Sequence, residues 1–343
     1  MKILFVDIQY DYGDPKRGIN TIGEYGFRRA MTALGHEVIP FYYDDDLAGS
    51  ANLQTRLLET AARVKPDLVS FCLFRDQFKV ETLFKLREIA PTLNWFGDDT
   101  WRFDNFTKHY ATAFDFCVTT DKFSVPKYQA LGVKNVIVSQ WAAIDLHQRP
   151  KFEGAYKYDV SFVGQFHPYR AWIVNSLMRA GINVHAYGLG WPAGPLKSEE
   201  MNSLFRHSKI NLNIGNSTSL KLPYLLSHWK ALPLAIKSRK NRSQIKARNF
   251  EIPYFGGFQI SDDVPGLEDW FDHGTEIITY KSPSEAIEKV KYYLSHDKER
   301  EAIREAGERR AQTDGYTARW KDILETVERQ LKQKSPRAPG VHA

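Results

Sequence analysis

Short apolar runs alternate with longer stretches of helical spacing from the first residues onward. Ile3–Asp7 is an apolar run closed by an acid, the pattern of a strand buried on both faces. Ile22–Leu34 then repeats its apolar positions with helical spacing and stops at Gly35, a natural helix end. The alternation continues with a strand at Glu37–Tyr42, a helix at Leu53–Val64 and a strand at Leu68–Phe74. A helix at Val80–Ile89 follows, with strand-like runs at Asn94–Phe96, Phe114–Thr119 and Val136–Val138. Strand and helix in turn, with short links, predict a parallel sheet covered by helices on both faces.

A polar, basic stretch from Pro150 to Lys157 reads as a linker, and a second series follows it. Strands are predicted at Tyr158–Val163, Asn183–Tyr187, Lys209–Ile214, Phe258–Ser261 and Glu276–Thr279. Helices are predicted at Ala171–Ala180, at Ser198–His207 and from Ile245 to a stop near Gly256-Gly257. Three more close the chain, Ser284–Leu294, Asp297–Ala311 and Tyr316–Lys332. The expected fold class is therefore α/β, with two Rossmann-like domains facing each other across a cleft and the last helix returning to the first domain. The expected boundaries are 1–150 and 151–332, with a disordered tail over 333–343. A single larger sheet, or two such domains with separate roles, are the alternatives. In doubly wound sheets ligands bind outside the carboxyl ends of the strands, so the chemistry is sought there.

A chain of 343 residues is long enough for two such domains. Cys72 and Cys117, its two cysteines, each sit in an apolar run and read as small buried hydrophobes of a reducing compartment. The first apolar run is too short for a signal peptide, and no run approaches membrane-span length, so a soluble cytoplasmic protein is expected. Peripheral membrane contact stays open. The formal charge of +6 suits an anionic partner, and its placement says more than its sum.

That placement is uneven. Lys237–Arg248 holds six basic residues and no acid, Lys246 and Arg248 among them. Cations at a helix start oppose the macrodipole unless an anion such as a phosphate docks there, although such runs are often simply solvated. Glu251 follows as a lone carboxylate. It suits two ribose hydroxyls, or an ion pair with Arg248 three residues earlier. Gly164 and Gln165 follow a strand and precede a helix that carries Arg170, an order that lets backbone and guanidinium approach a diphosphate. In the first half, Asp98 and Asp99 directly follow a strand, and one of them is a candidate general base, with a helix N-cap as the plain reading. The loop Gln9–Asn20, with Asp11 and Gly13, could face the same cleft. No His or Cys spacing suits a metal, and Asp98-Asp99-Thr100 is a loose match to a metal-holding D-x-D element, so no metal is predicted. No P-loop lysine and no G-x-S-x-G elbow occurs.

Taken in order, Tyr158-Asp159-Val160-Ser161-Phe162-Val163-Gly164, Lys209-Ile210-Asn211-Leu212-Asn213 and Arg248-Asn249-Phe250-Glu251-Ile252-Pro253 with Gly256-Gly257 resemble the CgeB-like (spore-maturation type) glycosyltransferases of the GT-B group. The likeness continues through Gly274-Thr275-Glu276-Ile277 and Tyr280 to Ile323. It is looser in the first half, at Leu34–Val38 and Asp98-Asp99-Thr100-Trp101. The resemblance implies metal-independent transfer of a sugar from a nucleotide-diphosphate donor, of UDP or GDP type, to an acceptor hydroxyl, with no further cofactor. It implies a donor site in the second domain with Glu251 on the ribose and Arg248 and Arg170 near the diphosphate. Tyr187 and Gly188 would meet the base, and Asn213, Gly256 and Gly257 lie in the matching motifs. The acceptor would lie in the first domain, beside Trp101 and Arg102.

Two features depart from the wider group. Ser243 stands eight positions before Glu251, where many retaining relatives carry a second glutamate with seven residues between the two. That leaves stereochemistry open and keeps an inactive, donor-binding relative in view. Ser217–Lys237 is also longer than the pattern expects. A sugar-nucleotide epimerase of similar architecture is the rival enzyme. A nucleic-acid-binding protein using residues 237–248 is the rival non-enzyme, ranked lowest, so no nucleic acid partner is expected.

Overall fold

The computed structural model describes residues 1–47, 52–216, 218–237 and 243–334. These residues fall into two compact units. The first comprises Met1–Asp99, Phe103–Gln140 and the chain from Tyr316 onward, and the second Thr100–Arg102 and Trp141–Gly315.

The first unit is built on six parallel strands, β1 (Lys2–Asp7), β2 (Glu37–Tyr42), β3 (Leu68–Phe71), β4 (Thr92–Phe96), β5 (Phe116–Thr119) and β6 (Val136–Val138). Their order is β2-β1-β3-β4-β5-β6, so the winding direction reverses between β1 and β3. Leu4, Val6, Val69 and Phe71 lie in one apolar core under this sheet. The helices are α1 (Arg29–Ala33), α2 (Asn52–Val64), α3 (Val80–Arg87), α5 (Lys108–Tyr110) and α6 (Val125–Ala130), while of α4 (Asp99–Arg102) only Asp99 falls in this unit. The helix expected at Ile22–Leu34 is α-helical only in its second half, because Ile22–Arg28 forms a wider π-helical stretch.

The second unit holds five parallel strands, β7 (Tyr158–Val163), β8 (Val184–Tyr187), β9 (Ser208–Asn213), β10 (Gln259–Asp262) and β11 (Ile278–Tyr280). Their order, β11-β10-β9-β7-β8, repeats the first sheet's pattern, with the reversal between β7 and β9. Val160, Phe162, Ile210 and Leu212 carry its core. Its helices are α7 (Pro168–Arg179), α8 (Ser198–Arg206), α9 (Leu222–Ser227), α10 (Leu232–Lys237), α11 (Arg248–Tyr254), α12 (Pro283–Ser295) and α13 (Asp297–Ala311).

The last helix, α14 (Tyr316–Lys334), belongs to the first unit as expected. Phe27 packs its ring against Tyr316 at 5.5 Å and Trp320 at 5.2 Å, and Trp320 meets Trp95 at 5.9 Å. All four are buried, and each such side chain contributes on the order of 2–3 kcal/mol. The units part between Gln140 and Trp141, ten residues before the expected boundary. The chain ahead of Pro150 is tied into the second unit: Ala143 lies in its core, Tyr254 donates to the Asp145 carbonyl at 3.3 Å, and Arg149 donates to the Tyr254 carbonyl at 3.0 Å. The tail expected from Gln333 is helical through Lys334, and residues 335–343 lie outside the described residues. Among the described residues no helix is long and apolar enough to cross a membrane.

Candidate functional site

In the second sheet the reversal between β7 and β9 brings two loops together at the strands' carboxyl ends. The loop after β7 carries Gly164 and Gln165, and the loop after β9 carries Gly215 and Asn216. Arg170, in the first turn of α7, spans them. Its Nη1 donates to the Gln165 carbonyl at 3.0 Å, Nη2 to Gly215 at 3.2 Å and Nε to Asn216 at 3.1 Å. A planar guanidinium can hold three carbonyls in this way where a lysine cannot. Sequence placed Arg170 near a diphosphate, and the structure adds that it braces both loops of the switch point.

The charges around it are uneven. Burial pushes the Arg170 guanidinium down to about 10; the nearby Asp262 carboxylate opposes that, and the positive charge of Arg248 adds to it. Asp262 ends β10. It is half-buried, its carboxyl is pushed up by desolvation, and Oδ1 accepts the Gly215 amide at 3.0 Å. Sequence reasoning missed Asp262, although an acid closing an apolar strand was the signal already present at Asp7. Arg170 and Asp262 thus set a guanidinium and a carboxylate together at the carboxyl edge, with the charge of Arg248 close enough to act on Arg170.

Tyr187 and Gly188 close over the same loop. The Gly164 amide donates to the Tyr187 carbonyl at 2.9 Å, and the Trp191 indole donates to the Gly164 carbonyl at 2.9 Å. Gly188 has φ +134°, and a Cβ there would lie 2.2 Å from the Gly164 oxygen, so glycine is required. Asn213 is buried at the end of β9 and donates to Ser261 Oγ at 3.1 Å; Asn249 donates to the same oxygen at 3.0 Å. This places the start of α11 beside the strand ends. Lys246 lies just ahead, its amide donating to Asn249 Oδ1 at 3.0 Å. Asn216 Nδ2 donates to Ser243 Oγ at 3.2 Å, so the residue standing where relatives have a glutamate belongs to this edge. Of the basic run, residues 238–242 lie outside the described residues.

Arg248 and Glu251 form the ion pair that their spacing allowed, with Nη1 to Oε2 at 2.5 Å. Arg248 also lies over the Phe205 ring at 5.2 Å and donates to the Met201 sulfur at 2.8 Å. No hydrogen bond reaches the second carboxylate oxygen of Glu251 from a described residue. Gly256 and Gly257 do not join this group. They precede β10, at the amino edge of the sheet, and a Cβ at each would strike Arg206 Nη1 at 2.4 Å and Asn211 Nδ2 at 2.6 Å respectively. They pack the end of α11 against α8 and β9, which corrects their expected place in the donor site.

In the first unit Asp99 is buried with both oxygens occupied. Thr107 donates to Oδ1, and Thr119 and Tyr128 to Oδ2, each at 2.6 Å. Burial pushes its carboxyl up to about 6, against the pull of those hydroxyls. A carboxylate so enclosed does not suit a base that meets an acceptor, which corrects that expectation for Asp99. Asp98, half-buried, holds the N-cap position of α4 without a capping bond from its side chain. Asp11 pairs with Arg17 at 2.8 Å on the loop after β1, and Gly13 follows in a left-handed turn. Trp101 and Arg102 stack at 5.8 Å and group with the second unit, not with these residues. Among the described residues no three His, Cys, Asp or Glu side chains gather as a metal site.

Two parallel sheets of this order on successive units have the fold of GT-B glycosyltransferases. The chain is an enzyme of the glycosyltransferase class: residues 170–325, covering most of the second unit and part of α14, match a family described as glycosyl transferase-like. The fold is similar to that of a sucrose-phosphate synthase from Thermosynechococcus elongatus, at TM-score 0.63 and 10% identity over 98% of this chain and 100% of that one. Anabaena HepE in complex with UDP and glucose aligns at TM-score 0.57 and 13% identity, over 96% and 99%. A putative UDP-N-acetylglucosamine 2-epimerase from Listeria monocytogenes aligns at TM-score 0.55 and 11% identity, over 99% of each chain. No curated protein matches the chain by sequence.

Proposed function

We propose that the protein transfers a sugar from a nucleotide-diphosphate donor, of UDP or GDP type, to an acceptor hydroxyl, without a metal, and that it is of the CgeB-like kind. The observation that carries this is Arg170 held across both loops of the β7/β9 switch point, beside the glycine loop and at the start of α7. The complex of HepE with UDP and glucose supports the donor class. On this reading the donor diphosphate lies in the field of the two arginines and Lys246, and the free oxygen of Glu251 takes a ribose hydroxyl. Tyr187 and Gly188 border the base.

In the reaction the bond from the anomeric carbon to the diphosphate oxygen breaks as the acceptor oxygen bonds to that carbon. The acceptor's proton leaves to a base or to the departing phosphate. The centre becomes oxocarbenium-like, and negative charge grows on the leaving group. Arginines fixed beforehand stabilise that charge more in the transition state than in the ground state, by roughly 2–4 kcal/mol for one strong contact. With Asp99 enclosed, Asp98 is the carboxylate of the pair left to serve an inverting route.

Glu251→Ala and Arg248→Ala test the site together. Each is expected to weaken binding of the UDP- or GDP-sugar that stabilises the wild type in a thermal-shift screen by about tenfold or more. Unchanged affinity in both variants sinks the site. Incubating the donor alone separates the rival enzyme: an epimerase isomerises it, and a transferase at most hydrolyses it slowly.

A further inference from the structure

The crossover between β9 and α11 is longer than a Rossmann connection needs, and its described part has an unusual surface. Tyr224 of α9 is buried, with its ring against Tyr169 at 5.2 Å and Trp172 at 5.5 Å, and Ala235 of α10 is fully buried. The excursion is therefore docked on the domain. Docked in this way, it turns Leu222, Leu226, Trp229 and Ile236 outward, with 65%, 74%, 71% and 66% of their surface exposed. Leu220 and Leu232 are also exposed. A soluble domain does not normally leave so many large apolar side chains on one short stretch.

The charge of the same stretch is one-sided. Residues 218–237 carry three lysines and no acid. Lys230 and Lys237 are exposed among the apolar side chains, and the Lys230 ammonium sits 5.7 Å from the Trp229 ring. A tryptophan beside a lysine, flanked by leucines and isoleucine, matches the boundary between headgroups and acyl chains of an anionic bilayer. Nucleic acid would use the cations but gain little from exposed Leu and Ile.

We propose that α9, α10 and the turn between them form a docking surface for an anionic lipid bilayer, with Leu222, Leu226, Trp229 and Ile236 entering the headgroup boundary and Lys230 and Lys237 meeting its charge. The inference stands on surface chemistry alone and does not depend on the donor site or the reaction. A shallow concavity of about 460 Å³ adjoins the surface at His228 and is lined also by Trp172, Asn175, Met178 and Arg179, so a further cation borders the docking face.

The test is flotation of the full chain with vesicles of phosphatidylcholine alone and of phosphatidylcholine mixed with phosphatidylglycerol. Wild type is expected to float with the mixed vesicles, less at raised salt, and weakly or not at all with phosphatidylcholine. The triple variant Leu226→Ser, Trp229→Ser, Ile236→Ser alters only exposed side chains. It is expected to keep the wild-type melting temperature and lose at least about tenfold in vesicle partitioning. Absence of wild-type binding to the mixed vesicles, or equal binding by the triple variant, overturns the proposal. Sedimentation velocity supplies a separate check. Self-association of wild type that the triple variant abolishes assigns the face to a second copy of the chain and also overturns it.

Discussion

At the carboxyl edge of the first sheet, Asp99 is closed in by the hydroxyls of Thr107, Thr119 and Tyr128. At that of the second, Arg170 lies across the carbonyls of Gln165, Gly215 and Asn216. The two sheets share one strand order, and at each edge uncharged groups hydrogen-bond a charged side chain. The consequences differ. The hydroxyls are short-range partners for one carboxylate, and they hold three segments of one unit together. The carbonyls fix Arg170 in place while Arg248 adds a second positive charge nearby. One edge encloses its carboxylate within the fold, and the other holds its guanidinium across the two loops of the switch point.

The largest effect should come from breaking the first arrangement. Asp99→Ala leaves three buried hydroxyls without their acceptor, and a loss of about 3 kcal/mol or more is expected in urea unfolding. A loss under about 1 kcal/mol breaks the comparison. Asp99→Asn sharpens it through pH. Burial raises the wild-type carboxyl to about 6, above the unfolded value near 3.8. The folded state therefore binds the proton more tightly, and this contribution is fully present below about pH 4 and lost as pH rises through 6. At about 1.4 kcal/mol per pH unit it amounts to about 3 kcal/mol. Wild type should lose stability relative to Asp99→Asn over that window, and parallel pH profiles would show that Asp99 does not titrate as described.

The second arrangement should respond less in stability and more in binding. Lysine keeps the charge of Arg170 but cannot span three carbonyls. Arg170→Lys is expected to cost about 2 kcal/mol and to weaken donor binding by about tenfold, because both loops lose their brace. An Arg170→Lys protein that binds the UDP- or GDP-sugar like wild type removes the loops from the site.

Much of the fold was legible because the signals are local. Apolar runs of strand length and Gly35 and Gly181 after helical spacing mark elements without any knowledge of their partners. The Arg248–Glu251 pair was legible for the same reason, being three residues apart on one helix. Arg170 was placed but not understood, because two of the carbonyls it holds are 45 and 46 residues further on. Asp99 looked like a base because its neighbours in sequence say nothing of Thr119 and Tyr128, 20 and 29 positions away. Gly256-Gly257 read as a ligand turn because sequence cannot show whether the atom that excludes a Cβ belongs to a ligand or, as here, to Arg206 and Asn211. The exposed face of α9 and α10 was hidden too, since Leu222 and Leu226 have the spacing of core residues.

The smallest stability effect belongs to Asp11, and there the two edges can be compared without disturbing either fold. Asp11 and Arg17 pair at 2.8 Å with side chains 42% and 40% exposed, and such pairs contribute about 0–1 kcal/mol. Asp11→Asn should therefore leave the melting temperature nearly unchanged. If the loop after β1 holds the acceptor, the variant raises KM for the acceptor several-fold, with donor KM and kcat close to wild type, because uniform binding has been lost and not transition-state stabilisation. A rise in donor KM instead would put Asp11 on the other side of the reaction. No change in either KM would leave the first edge with a structural role at Asp11 as well as at Asp99, and would move the search for acceptor contacts to Trp101 and Arg102, which group with the second unit.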